Sequence, residues 1–335
     1  MDLPDELRSS ILASQGKDPI LHHLNADSSW LFQVPNSTFQ PGRKFFNILI
    51  DPWLSGPQSD VASWFSKQWH AIAPHYSSIA AVEALCWHVE RLLDAASVEE
   101  KPGKIDAVVI SHEFTDHCHE GTMRQLDPKT ALFANDKAIQ LIKSWKHFDQ
   151  ASIHEIPGFS PDWLALSRPP LPKSLSISRL QNGGDFLYYH SAVVISFLDP
   201  DLNAGKCLIY TPHGLPCTNE NPLLSCTPPL QTLALLHGLH DVSIPWGGPF
   251  KSGTQQLNLG AHNALKLQRQ IKAKYWLSTH DEVKKGGGLV GLLLKRKVIP
   301  LDDALKMEKR GEQDAESAED AKVIDMENGK GMVLL

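Results

Sequence analysis

Ile105-Asp106-Ala107-Val108-Val109-Ile110-Ser111-His112-Glu113-Phe114-Thr115-Asp116-His117-Cys118-His119 is a β-branched run that passes without a break into a histidine-rich loop. A short apolar run with no polar alternation fits a strand buried on both faces, the kind found in a parallel sheet covered by helices. Thr115 is a candidate helix N-cap, so a helix is predicted to open at Asp116 and His117 and to reach Leu126. His112 then stands at a strand edge, with a carboxylate and a second imidazole about a turn away. Those nitrogen and oxygen donors suit Zn²⁺, Fe or Mn²⁺.

On the N-terminal side, residues 29–33 and 45–51 read as strands, the second ending in Asp51-Pro52-Trp53-Leu54, with a turn at Gln40-Pro41-Gly42 between them. Ile79 to Ala96 carries apolar residues at helical spacing (Val82, Leu85, Cys86, Val89, Leu92, Leu93) and reads as an inserted helix. On the C-terminal side, strands are predicted at 131–134, 152–156, 186–189, 193–198, 206–211, 242–246 and 275–278. Helices are predicted at 138–145, 230–239 and 261–271. His190, His213 and His280 each follow one of these strand runs, so loops at one sheet edge could bring them to His112 and His117.

In order and spacing these segments resemble the metallo-β-lactamase-fold superfamily, whose sign is a strand ending in S-H-x-H-x-D-H with later ligands at separate strand ends. The resemblance runs over roughly residues 28–285. Leu49 to Leu54 with Gly56 looks like its D-P-(W/F)-L-x-G segment, Asp106 to His117 like its metal loop, and His190-Ser191 like its third histidine. Thr211-Pro212-His213-Gly214 looks like its G-D-T-G turn, and Ala273 to His280 like its last strand and histidine. The D-P-W-L start and the Ala-Lys-Tyr-Trp-Leu-Ser-Thr-His ending look nearest to the lactonase-like and phospholipase-like hydrolase branches. The fold this implies is a four-layer αββα sandwich of two mixed β-sheets.

The implied ligand set is His112, Asp116, His117, His190, His213 and His280, with Asp51 supporting a ligand histidine from behind. Two departures matter. Phe114 stands where the family has its second histidine, and His213 is the nearest donor to the family's bridging aspartate. A neutral imidazole has one lone pair and cannot bridge two cations. The expectation is therefore a mononuclear, atypical centre on Asp116, His117 and His280, closed by His213. It would hold one Zn ion, with Mn or Fe as alternatives, and acidify water for attack on an ester, lactone, thioester or phosphodiester. His112 or His190, released from ligation, would act beside Asp116 as general base or oxyanion donor. The competing reading is a non-catalytic protein that binds a ligand or partner in the former cleft, since apolar bulk at a ligand position is what lost chemistry looks like.

Composition narrows the field. The 335 residues are 42% apolar and 21% charged, which supports a core of ordinary size. A formal net charge of −6 offers no cationic field for nucleic acid. No apolar run reaches signal-peptide or membrane-span length, so the expectation is a cytoplasmic protein without an integral membrane segment, acting on a small-molecule or lipid-like substrate. The oligomeric state is not readable. Five unpatterned cysteines read as reduced thiols, Cys118 as a small buried helix residue. The expected organisation is an N-terminal extension (1–27), one domain (28–300) with a helical insertion near 57–104 that could cover the cleft or a dimer contact, and a charged tail (301–335). Gly286-Gly287-Gly288 reads as a flexible loop, without the frame of a phosphate-binding motif.

Overall fold

The computed structural model describes residues 3–36, 43–59, 66–94, 103–182, 188–199, 204–218, 221–246, 253–287, 295–311 and 323–335. In chain order the strands are β1 (Ile20–His23), β2 (Trp30–Pro35), β3 (Phe45–Ile50), β4 (Lys67–Trp69), β5 (Ala107–Ile110), β6 (Ala131–Ala134), β7 (Ile153–Glu155), β8 (Leu175–Gln181) and β9 (Ser191–Asp199). There follow β10 (Ala204–Thr211), β11 (Leu230–His237), β12 (His240–Trp246), β13 (Gly253–Leu259), β14 (Tyr275–Leu277), β15 (Lys285–Gly287), β16 (Lys295–Val298), β17 (Val323–Ile324) and β18 (Gly331–Val333). The helices are α1 (Asp5–Ser14), α2 (Ile79–Leu93), α3 (Glu120–Met123), α4 (Asp136–Ser144), α5 (Gly260–Ile271) and α6 (Leu301–Gly311).

Two mixed sheets face each other. The first has the order β18-β1-β2-β3-β5-β6-β7 and the second β17-β14-β11-β10-β9-β8. Adjacent residues on one strand serve different layers, as the pleat requires. Ile48 and Ile50 of β3 point between the sheets, where they join Trp30, Phe32, Val109, Ile195, Leu208 and Tyr210, whereas Leu49 points outward. Outside the first sheet, Leu49, Val108 and Ile110 pack on Ile11 of α1, Val82, Leu85 and Val89 of α2, and Ile142 of α4. Outside the second, Val194, Ile209, Leu235 and Trp276 pack on Ala264, Leu265 and Ile271 of α5. This is the four-layer αββα sandwich expected, and each large apolar side chain so buried contributes about 1.5–3 kcal/mol.

Three local expectations are corrected. Leu230 to Leu239, expected to be helical, instead supplies β11, a strand hydrogen-bonded in parallel between β10 and β14. Burial on both faces outweighs helix propensity over so short a run. The helix predicted to open at Asp116 begins later. His119, not Thr115, is its N-cap, with the imidazole accepting from the Thr122 amide, so Asp116 and His117 lie in a turn ahead of α3. The strand at 186–189 falls partly on residues 183–187, outside the described residues, and Tyr188 and Tyr189 form a turn. The Gln40-Pro41-Gly42 turn and Gly288 also lie outside the described residues.

The chain ends join the sandwich. Within 1–27, β1 pairs with β2, and within 301–335, β18 pairs antiparallel with β1 while β17 pairs with β14. Within the 57–104 segment, α2 is a layer helix held to β3 by Glu90, which accepts from the Lys44 and Phe45 amides. The same segment contributes β4, paired with β15. Residues 60–65 and 95–102 of it lie outside the described residues.

Candidate metal centre

The loops at one edge of the sandwich gather four imidazoles. Ring centroids are 3.9 Å apart for His112 and His117, 4.5 Å for His112 and His213, 4.7 Å for His117 and His280, and 5.0 Å for His213 and His280. Potential ligand atoms of His112, His117 and His213 lie within 4.8 Å of one another, as do those of Asp116, His117 and His280. His117 is shared by both groups. The Asp116 carboxylate comes within 3.7 Å of His117 Nε2 and 3.9 Å of His280 Nε2.

Each of these imidazoles is turned by an oxygen on its Nδ1 side. His117 Nδ1 donates to Asp51 Oδ2 at 2.7 Å, His280 Nδ1 to Asp27 Oδ1 at 3.1 Å and His213 Nδ1 to Asn258 Oδ1 at 2.7 Å. His112 Nδ1 lies 2.7 Å from the Ser111 hydroxyl, which itself donates to Asp51 Oδ2 and so accepts from the ring. An acceptor at Nδ1 fixes the proton there and leaves Nε2 with a bare lone pair, the tautomer of a metal ligand. Two consequences are visible. His117 Nε2 is buried with no hydrogen-bond partner, and the Nε2 atoms of His112 and His213 face each other at 2.7 Å. Convergent lone pairs and an orphaned buried nitrogen are costly unless a cation lies among them. The residues present therefore fit a divalent metal ion.

Asp51 organises this edge. Besides His117 and Ser111 Oγ, it accepts from the Ser111 amide at 2.8 Å and from the Tyr210 hydroxyl at 2.8 Å. Asp51 and His280 both have left-handed backbones, φ 43° and 59°. Non-glycine residues tolerate such backbones when surrounding contacts over-determine them, commonly at functional sites.

Burial disfavours charge on the rings. It holds His112 and His213 well below the usual imidazole range, helped by neighbouring histidines, and lowers His280, where the Lys284 ammonium adds to it. For His117 burial acts the same way, but the Asp116 and Asp51 carboxylates outweigh it and raise the pKa. Asp116 is pushed up by burial and pulled down more strongly by Lys284, His117 and His280, so it stays ionised.

Of the six ligand candidates, His112, Asp116, His117, His213 and His280 are brought together. His190 is not in either group, and its Nε2 lies 2.9 Å from the Leu257 carbonyl. Its neighbour Tyr189 faces the site instead, with its ring 5.1 Å from His213 and 5.6 Å from Phe114. Phe114 lies edge-on to His112 at 4.9 Å. The side where the family's second and third histidines would stand is thus an aromatic wall. His119 caps α3 and Cys118 is buried, its thiol pushed well up by that burial, so neither joins the cluster.

Two charged residues not anticipated from sequence belong here. Asp27, in the loop between β1 and β2, backs His280. Lys284, just before β15, places Nζ 2.5 Å from Asp116 Oδ2, 2.8 Å from Asp27 Oδ2 and 5.5 Å from the centre of the Trp53 ring. Buried Asp27 is held well below the usual carboxylate range, Lys284 and His280 outweighing desolvation.

No protein-family profile matches the sequence, and no curated protein matches it. Solved structures do. A possible metal-dependent hydrolase from Veillonella parvula is similar with a TM-score of 0.50 at 11% identity, over 95% of this chain and 99% of that one. An isothiocyanate hydrolase from Delia radicum gut bacteria is similar with a TM-score of 0.51 at 14% identity, over 94% and 99%. A mutant of the CmlA β-hydroxylase is similar with a TM-score of 0.50 at 12% identity, over 95% of this chain and 54% of that one. At such identities the likeness is one of fold, and the fold is that of the metallo-β-lactamases. Hydrolases and a hydroxylase share it, so chemistry has to be argued from the site.

Proposed function

We propose that this protein is a metal-dependent hydrolase with a mononuclear centre, in which Asp116, His117, His280 and His213 hold one Zn, Mn or Fe ion. The substrate class is an ester, lactone, thioester or phosphodiester of a small or lipid-like molecule. The observation that carries this reading is the common orientation of the four imidazoles, each anchored at Nδ1 with Nε2 turned inward beside an ionised carboxylate. A divalent ion supplies Lewis acidity and acidifies water toward neutral pH.

The chain's own groups do the rest. Asp51 and Asp27 hold His117 and His280 in register and keep their Nδ1 protons in place. His112, kept neutral by burial, offers its Nε2 as a further ligand or as a hydrogen-bond partner at the reacting edge. His190 braces the β13 backbone through Leu257, with its ring edge-on to Tyr189 at 5.1 Å. Phe114 and Tyr189 make that wall apolar, which favours a substrate carrying an apolar group next to the scissile bond.

Metal content measured by plasma mass spectrometry, on protein purified without chelator or metal-affinity tag, tests the reading. We expect about one ion per chain, lost in His117→Ala. A value near zero in both proteins would overturn the proposal and favour the non-catalytic ligand-binding reading, to which Phe114 at a ligand position points.

A further inference from the structure

Lys284 is a charged side chain only 7% exposed at the edge of the cluster. Removing an ammonium from water is costly, and only close opposite charge recovers that cost. Here the opposite charge is divided between two carboxylates of different standing. Asp116 belongs to the candidate ligand set, and Asp27 orients a ligand imidazole. The ammonium bridges the Oδ2 atoms of both, leaving Asp116 Oδ1 on the side of His117. The ammonium therefore stands as a fixed positive charge against two aspartate oxygens, one of them on a carboxylate of the candidate ligand set.

The charge balance points the same way. Three buried carboxylates, Asp27, Asp51 and Asp116, stand against the imidazole nest, and one ammonium, Lys284, pairs with two of them. With the imidazoles neutral as ligands, those groups leave two negative charges, which one divalent ion neutralises. A second ion would leave the buried site as strongly positive as it began negative. On the opposite side, Phe114 and Tyr189 offer no pair of ligand atoms to compensate.

We infer that Lys284 is a built-in cation that occupies the place of a second metal ion and limits this centre to one. The inference rests on the metal-centre reading above and deepens it. It assigns Lys284 a positioning role: it holds Asp116 by one oxygen and Asp27 by one oxygen, so that the other oxygens serve the ion and His280.

The test is ion stoichiometry, independent of any activity. Wild type, Lys284→Gln, Lys284→Met and Lys284→Arg are stripped with chelator, re-titrated with Zn²⁺ or Mn²⁺ by calorimetry, and counted by mass spectrometry after desalting. Wild type and Lys284→Arg are expected to saturate at about one ion per chain, and Lys284→Gln and Lys284→Met at about two. Lys284→Met keeps an unbranched side chain of similar length without the charge, so it remains informative if Lys284→Gln does not fold. About one ion in both neutral variants would overturn the inference while leaving the metal centre intact. Two ions in wild type would overturn it as well. No ion in any of the proteins would instead remove the metal-centre reading itself, and the inference with it.

Discussion

His117 and His22 are both buried to within 1% of complete, yet they are built for different ends. His22, in β1, places its Nε2 2.9 Å from Gln33 Oε1, and Gln33 passes the chain on to Asn47, whose amide donates to the Lys104 carbonyl. His237 at the end of β11 has both nitrogens engaged, with the Gly238 carbonyl and Asn263. In the centre, by contrast, Nδ1 is satisfied and Nε2 is aimed at other ligand atoms or left without a partner. Burial therefore does not separate a ligand histidine from a structural one. The separation lies in where the second nitrogen points, because a buried nitrogen without a partner costs about 1–3 kcal/mol unless something else pays for it.

The comparison can be broken at its strongest point. Asp51→Asn removes the carboxylate that fixes His117 and, through Ser111, His112. Metal affinity measured by competition with a chromogenic chelator should fall about 10–100-fold. Unchanged affinity would mean that the acceptors behind the rings do not prepare them for metal. His190→Ala is expected to change that affinity by less than about threefold, since its ring is directed to Leu257 and not to the nest. A loss as large as that of Asp51→Asn would place His190 among the ligands after all.

The weakest effect on metal, and the clearest on pH, belongs to His22→Gln. Burial lowers the His22 pKa to about 4, opposed only in part by Gln33. The unfolded chain takes up a proton near pH 6.5 and the folded chain does not until near pH 4, so the unfolded state binds more protons in that window. Stability due to this group is full above pH 6.5 and is lost as pH falls toward 4, by about 3 kcal/mol in all. Urea unfolding at pH 7 and pH 4.5 should show a smaller acid loss in His22→Gln than in wild type by about 2–3 kcal/mol, with metal content unaltered. An equal acid loss in the two proteins would show that His22 is not the neutral structural histidine described.

Much of this was legible from local sequence. The strand through Ile110, the strands ending at Asp51 and before His280, and the grouping of His112, Asp116 and His117 follow from apolar runs and their punctuation, because side-chain period and turn chemistry act over a few residues. Only the tertiary structure decided the rest. It made β11 a strand by burying it between two parallel neighbours, and it turned Tyr189 toward the site in place of His190. It also recruited Asp27 to His280 across 253 positions and Lys284 to Asp116 across 168. An aspartate in a turn and a lysine before a glycine run carry no local sign of such partners. Their roles are set by electrostatic pairing in a dehydrated interior, and that interior exists only once the two sheets have closed.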